Sequence, residues 1–215
     1  MILLTCASLP DGISKETLLS VVSMLFSHKD NSEYLNRIAN RTNLASANES
    51  LFALSLLYEL ICQLPRPADT SALIFARNDD GKPYFKNSDI RFNVSHSHGY
   101  AACAVSDEGD VGIDIEASTV SPERAQKIAD RYFNEREREL VRCFPESFAR
   151  IWCNKEAEAK FFGLGLGKHL ENEKKSSPDI TFSKKSDNAS IHAFYYDKIP
   201  ISLCTKGKFD TITFM

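Results

Sequence analysis

The sequence predicts an α+β fold, and three observations carry that prediction. Within residues 46–63, Leu51, Leu54, Leu57, Tyr58 and Ile61 recur at three- and four-residue steps, the period of a helix with one buried face. In mid-chain, short apolar runs such as Ala101-Ala102-Cys103-Ala104-Val105 and Val111-Gly112-Ile113-Asp114-Ile115 have the length and composition of strands. Near the C-terminus, residues 191–196, 199–204 and 211–214 alternate or run apolar like antiparallel strands.

Each element can be justified in chain order. Residues 1–6 lack the basic start and the apolar length of a signal peptide, so they read as a first strand. Leu64-Pro65-Arg66-Pro67 ends the helix over 46–63, since proline cannot continue it. A strand over 73–76 and a turn at Asn78-Asp79-Asp80-Gly81 follow, and Gly81-Lys82-Pro83 leads into another strand. Residues 122–144 read as two helices broken at Arg131-Tyr132-Phe133-Asn134, and a further helix carries Trp152 to Lys160. The glycines of Phe161-Phe162-Gly163-Leu164-Gly165-Leu166-Gly167 follow a helix and read as its C-cap, because a phosphate loop would open one. Residues 170–187 are polar and lysine-rich, a loop with a short strand at 180–182. Tyr100 to Val105 and Ile199 to Cys204 echo one another faintly, too weakly to establish a repeat.

Bulk properties narrow the function. The 215 residues are enough for one sizeable core or two small, interlocked ones. A net charge of −3 argues against a nucleic-acid partner, which calls for a basic excess. No stretch reaches transmembrane length. Six cysteines show no C-x-x-C pair and sit mostly in apolar runs, which suits a reduced, cytoplasmic protein.

Chemistry concentrates in three segments. Along Val111 to Glu116, side chains alternate, so Asp114 and Glu116 share one face while Val111, Ile113 and Ile115 take the other. On the following helix, Trp152, Glu156 and Lys160 lie one above another. Three carboxylates with Lys155 and Lys160 suit a Mg²⁺ ion holding a phosphorylated ligand. Taken singly, each half has an ordinary reading, a solvated strand face or an exposed ion pair. The third segment, Ser95-His96-Ser97-His98-Gly99, is a turn whose hydroxyls, imidazole and backbone N–H groups can face one ligand, or simply a capped surface turn.

In order, G-K-P, F-N-V-S-H-S, V-G-I-D-I-E and W-C-N-K-E-A-x-x-K resemble the 4′-phosphopantetheinyl transferase superfamily, nearest its stand-alone, surfactin-synthetase-type branch. The resemblance is clear from Gly81 to Leu166. It implies two similar α+β halves, 1–108 and 109–215, each a small antiparallel sheet with helices. These would be related by a pseudo-twofold axis with a ligand cleft between them, the C-terminal half carrying the Mg²⁺ site. It also implies transfer of the 4′-phosphopantetheine arm of coenzyme A to a serine of an apo-acyl or peptidyl carrier protein by a monomeric enzyme, releasing 3′,5′-ADP. By resemblance Asp114, Glu116 and Glu156 hold Mg²⁺. Glu156 or a metal-bound water takes the serine proton, and Lys160 sits at the pyrophosphate. Lys155, Ser95, His96, Lys82 and Pro83 contact coenzyme A, Ser95 and His96 around its 3′-phosphate. Three departures stand out: His98 where glycine is common, an extra residue between His96 and Asp114 that the turn over 106–110 would absorb, and no clear match for an arginine before the N-terminal helix, for which Arg37, Arg41 and Lys29 are alternatives. A Mg²⁺-dependent phosphohydrolase acting on a nucleotide-like phosphoanhydride would use the same carboxylates without needing the G-K-P and F-N-V-S-H-S segments. A non-catalytic coenzyme A-binding protein would not need the carboxylates.

Overall fold

The computed structural model describes residues 1–175, 189–206 and 212–214. Its first run is a strand, β1 (Ile2–Ser8), near the centre of a four-stranded sheet. β4 (Arg91–Ser97) and β5 (Tyr100–Ser106) extend that sheet antiparallel on one side. β9 (Ile212–Phe214) lies parallel to β1 on the other side, so this sheet is not wholly antiparallel and the chain's end returns to its beginning. A second sheet has the order β6 (Val111–Ile115), β8 (Ile199–Lys206), β7 (Ala189–Tyr196), all antiparallel. β2 (Phe75–Arg77) and β3 (Pro83–Phe85) form a separate hairpin across the Asn78 to Gly81 turn. The expected strand at 180–182 lies outside the described residues.

Helices cover the sheets. α1 (Lys15–Leu25), α2 (Asn31–Ala39) and α3 (Leu44–Cys62) bury Leu18, Val22, Leu35, Leu54 and Leu57 with Phe92, Ala101, Cys103 and Val105 of the first sheet. Ser14 caps α1 and Asn43 caps α3, each side-chain oxygen accepting a backbone N–H three residues on. α1 buries only Leu18 and Val22 along its length, too sparse a pattern to announce a helix, and α2 is only nine residues long, burying Leu35, Ile38 and Ala39. In the C-terminal part, α4 (Pro122–Tyr132) and α5 (Glu135–Cys143) are separated where the sequence places the break, with Asn134 and Glu137 forming a capping box. α6 (Ser147–Phe162) lies on the second sheet, and α7 (Leu166–Lys175) follows.

α7 corrects the reading of 170–187 as loop from its start, and also the reading of the glycine run. Gly163 ends α6 at φ 69°, as a C-cap should, but Gly167 sits in the first turn of α7, so the run opens a helix too.

The remaining face of each sheet meets the other. Ile2, Leu4, Cys6, Ala102 and Ala104 pack against Val111, Ile113, Ile115, Ile201 and Leu203, the apolar side of the alternation read from β6. Both long hairpins turn the same way. His98 and Gly99 join β4 to β5 with φ of 48° and 82°, and Asp197 and Lys198 join β7 to β8 with φ of 47° and 69°. Two consecutive left-handed residues are the mark of a tight turn matched to strand twist, and this is the structural content of the echo between 100–105 and 199–204. The turn asks for left-handed backbone at both positions, which histidine tolerates better than most residues, so His98 is accommodated there.

Candidate active site

A cleft of about 470 Å³ opens beside β4, β6 and α6, and its walls differ in charge. β6 and α6 supply Asp114, Glu116, Trp152, Glu156 and Lys160. α6 can lie this close to β6 because Gly112 has no side chain. A Cβ there would run into the carbonyl oxygen of Ala157 and the backbone of Phe161. The glycine of V-G-I-D-I-E therefore sets the distance between the two carboxylate-bearing elements.

Asp114 is 5 % exposed and engages the Lys160 ammonium at 2.6 Å. Burial lowers the Lys160 pKa, but Asp114 and Glu156 outweigh it and hold that amine above its usual value. Glu156 goes the other way. Burial and the charge of Asp114, with Glu116 adding, push its carboxyl up to about 7 against the pull of Lys160. Carboxylates close enough for Glu156 to retain its proton are an all-oxygen donor set suited to a hard divalent cation, so the residue types fit Mg²⁺. Among the described residues no three acidic or metal-ligating side chains are closed around a common point, because Asp114 is drawn onto Lys160 and Glu116 onto Ser97 and Ser118.

Ser95 belongs to this wall, although it comes from β4. Its hydroxyl donates to Asp114 Oδ1 at 2.7 Å, and its oxygen accepts from Lys160 Nζ at 2.8 Å and Ile115 N–H at 3.4 Å. One donor and two lone pairs are all a serine has, so the expected contact of its side chain with a phosphate has no free valence in this arrangement. Ser97 repeats the pattern one step along, donating to Glu116 Oε1 at 3.1 Å and accepting from Ala117 N–H at 3.1 Å. Asn93 accepts from Ile113 N–H at 2.9 Å. β4 and β6 are both edge strands, and this row of side-chain oxygens joins them.

The opposite wall is basic. Arg41, in the loop before α3, and Arg77, at the end of β2, both line the cleft; Arg37 and Lys29 do not. Of the three alternatives for the missing arginine, Arg41 is the one that lines the cleft. Burial, Arg77 and, more weakly, Arg37 lower its pKa, a sign of cations gathered without an anion among them. Arg77 lies over the Tyr34 ring at 5.1 Å and donates to Gly81 O at 2.7 Å. Its Nε is buried without a hydrogen-bond partner among the described residues. Nothing in the sequence around Arg77 marks it, since a strand-end arginine is ordinary until Tyr34 and the Gly81 turn are brought beside it.

His96 lies between these groups. Its Nδ1 meets Glu49 Oε2 at 2.8 Å and its Nε2 meets Ser50 Oγ at 2.9 Å; Ser50 in turn accepts from Arg41 at 2.6 Å. Burial lowers the His96 pKa despite Glu49, which suits a neutral ring with its proton on the Glu49 side. Glu49 also accepts from Gly99 N–H, so the hairpin turn and α3 hold the ring together. Lys82 and Pro83 line the cleft as well, with the Lys82 ammonium on Phe161 O at 2.9 Å. Burial lowers its pKa, opposed by Asp110.

Lys155 is not brought to the cleft. It is 4 % exposed on another face of α6, where its amine lies 3.0 Å from Glu137 and 5.3 Å from the centre of the Phe133 ring. The sequence places it next to Glu156, but adjacent helix residues point about 100° apart, so one reaching the cleft turns the other into the packing against α5.

Comparisons with known proteins agree with the motifs. The model of the 4′-phosphopantetheinyl transferase superfamily matches residues 110–208. A 4′-phosphopantetheinyl transferase of Aneurinibacillus migulanus is 33 % identical over 129 residues, 58 % of this chain and 52 % of that protein. A 4′-phosphopantetheinyl transferase of Nostoc is 38 % identical over 102 residues, 43 % of each. A protein of Haemophilus influenzae named as a putative 4′-phosphopantetheinyl transferase is 31 % identical over 161 residues, covering 69 % of this chain and 66 % of its own. The chain thus spans about half the length of the first two relatives it matches.

Proposed function

The chain belongs to the 4′-phosphopantetheinyl transferase superfamily, and on that premise we propose that it transfers the 4′-phosphopantetheine arm of coenzyme A to a serine of an apo-carrier protein, releasing 3′,5′-ADP. The observation that carries this reading is one cleft with an acidic wall at Asp114, Glu116 and Glu156 and a basic wall at Arg41 and Arg77. A substrate with a pyrophosphate and a separate 3′-phosphate asks for both. Support for the pseudo-twofold arrangement of halves 1–108 and 109–215 comes from the matching hairpins and from the sheet-plus-helix unit behind each wall.

Asp114, Glu116 and Glu156 would hold Mg²⁺, which when bound supplies Lewis-acid charge against the pyrophosphate. Lys160, held cationic, adds charge where the transition state becomes more negative. Glu156, or a water beside the metal, would receive the proton of the attacking serine, since Glu156 lines the cleft with the other two carboxylates. Arg41 and Arg77 grip the 3′-phosphate, with His96 and Ser50 supporting Arg41, and Lys82 with Pro83 borders the adenine. Lys155 braces α6 on α5 and takes no part in binding. The same reading makes the protein a cytoplasmic monomer; its cysteines are all free, and four are buried.

The test is to incubate the protein with coenzyme A, Mg²⁺ and a panel of apo-carrier proteins and weigh the carriers. A carrier that gains one phosphopantetheine, with an equal amount of 3′,5′-ADP, is the expected result. Coenzyme A cleaved with no gain by any carrier would make the protein a phosphohydrolase instead.

A further inference from the structure

The edge between the two sheets carries a repeating hydrogen-bond unit that no residue's catalytic role explains. β6 sends its Asp114 and Glu116 N–H groups toward β8, as the Glu116 N–H to Pro200 O bond of 3.2 Å shows. The N–H groups of Ile113, Ile115 and Ala117 therefore leave by the other edge, where a backbone ladder would be expected. They meet side chains instead: Asn93, Ser95 and Ser97, every second residue of β4. An edge strand's N–H row is normally paired or wet, and here a second strand's side-chain oxygens satisfy it.

The two serines do one thing more. Each accepts the N–H of one residue and gives its own proton to the carboxylate of the residue before: Ser95 to Asp114, Ser97 to Glu116. Asn93 has no such partner, because Gly112 occupies the corresponding position. We propose that Ser95 and Ser97 are positioning residues that register β6 against β4 and, through the same hydroxyls, fix the spacing and direction of Asp114 and Glu116 for a divalent cation. This rests on the function proposed above. The hydroxyl, with Lys160 beside it at Asp114 and the Ser118 N–H and hydroxyl beside it at Glu116, occupies one oxygen of each carboxylate, keeps it from rotating away and leaves the other oxygen for the ion. The F-N-V-S-H-S pattern then has a geometric reason. Its oxygens at alternate positions match the two-residue step of the strand opposite.

The experiment compares Ser95→Ala, Ser97→Ala, the hydroxyl-keeping Ser97→Thr, and Asn93→Ala with the native chain. Mn²⁺ binding is followed by electron paramagnetic resonance with coenzyme A present, and exchange of the Ile113, Ile115 and Ala117 amides is followed by NMR. The serine-to-alanine variants should weaken Mn²⁺ by roughly 10–100-fold, the usual effect of losing a partner behind a metal ligand. Ser97→Thr should recover most of that loss. Asn93→Ala should speed exchange at Ile113 as the serine variants do at Ile115 and Ala117, yet shift Mn²⁺ binding much less, since it cuts the same edge without touching a carboxylate. Equal metal binding in all four variants would overturn the positioning role, and so would an Asn93→Ala loss as large as the serine losses. If the native chain binds Mn²⁺ but transfers nothing, the proposed function fails while this inference stands. Native binding with no change of amide exchange in any variant would overturn the β4–β6 registration itself.

Discussion

The two walls of the cleft solve opposite electrostatic problems. On the α6 side like-charged carboxylates are pressed together, and the cost shows as Glu156 driven up to about 7. On the α3 side cations are gathered, and Arg41 is driven down. On the acidic wall Lys160 lies on Asp114 as an internal counterion, whereas on the basic wall Glu49 accepts a hydrogen bond from the neutral His96 ring. A site with uncompensated charge of both signs, a short distance apart, is built for a ligand that carries anion and cation together. Polyphosphate with a divalent metal is such a ligand.

The largest way to break the comparison is to discharge the acidic wall. Asp114→Ala or Glu116→Ala should lower metal-dependent transfer by more than about 100-fold with the fold intact, since even residues behind metal ligands cost 10–100-fold. Steady-state rates across a Mg²⁺ titration, with circular dichroism for the fold, check this. Full activity in both variants would remove them from the metal site.

Discharging the basic wall should hurt selectively. Arg41→Ala and Arg77→Ala should each raise KM for coenzyme A by about 10–100-fold, the worth of a charge-assisted hydrogen bond of about 1.5–3 kcal/mol. 3′-Dephospho-coenzyme A should show little change. His96→Ala should follow the same pattern more weakly, because its ring reaches Arg41 through Ser50. Equal losses for the two ligands would place the 3′-phosphate elsewhere.

Lys155 sharpens the contrast from outside the cleft. Removing one member of the buried Lys155–Glu137 pair strands the other charge, at a cost of about 3–5 kcal/mol. Lys155→Ala should therefore lower the thermal midpoint strongly, yet leave KM for coenzyme A unchanged where the protein remains folded. A raised KM at native stability would return this lysine to the phosphate set.

The smallest effect is a pH dependence of the metal-free protein. The Glu156 carboxyl keeps its proton in the folded state up to about 7, whereas an unfolded glutamate releases it near 4.5. Between those values the folded state binds more protons, so stability falls as pH rises, by of order 1–3 kcal/mol across the window. Glu156→Gln should flatten that slope, measured by urea denaturation from pH 4.5 to 8 without metal. Adding Mg²⁺ should flatten it too, because the cation takes over the proton's task. A slope that survives the substitution would belong to another group.

Much of this was open to reading from the chain itself. Local rules suffice for α3, for the break at Asn134 between α4 and α5, and for the shared face of Asp114 and Glu116, because period, capping and alternation are set by neighbours in sequence. Motif order was enough to indicate the family. What neighbours in sequence do not encode was decided in three dimensions. Arg77 becomes a site residue only when the β2–β3 hairpin carries it to the cleft, and Lys155 leaves the site because α5 presents Glu137 to it. Ser95 is a partner of Asp114, because the side chains of one face of β4 reach the edge of β6, a strand with which it pairs in neither sheet. A side chain's valence is spent on whatever the fold brings within hydrogen-bond reach, and that inventory exists only once the chain has closed on itself.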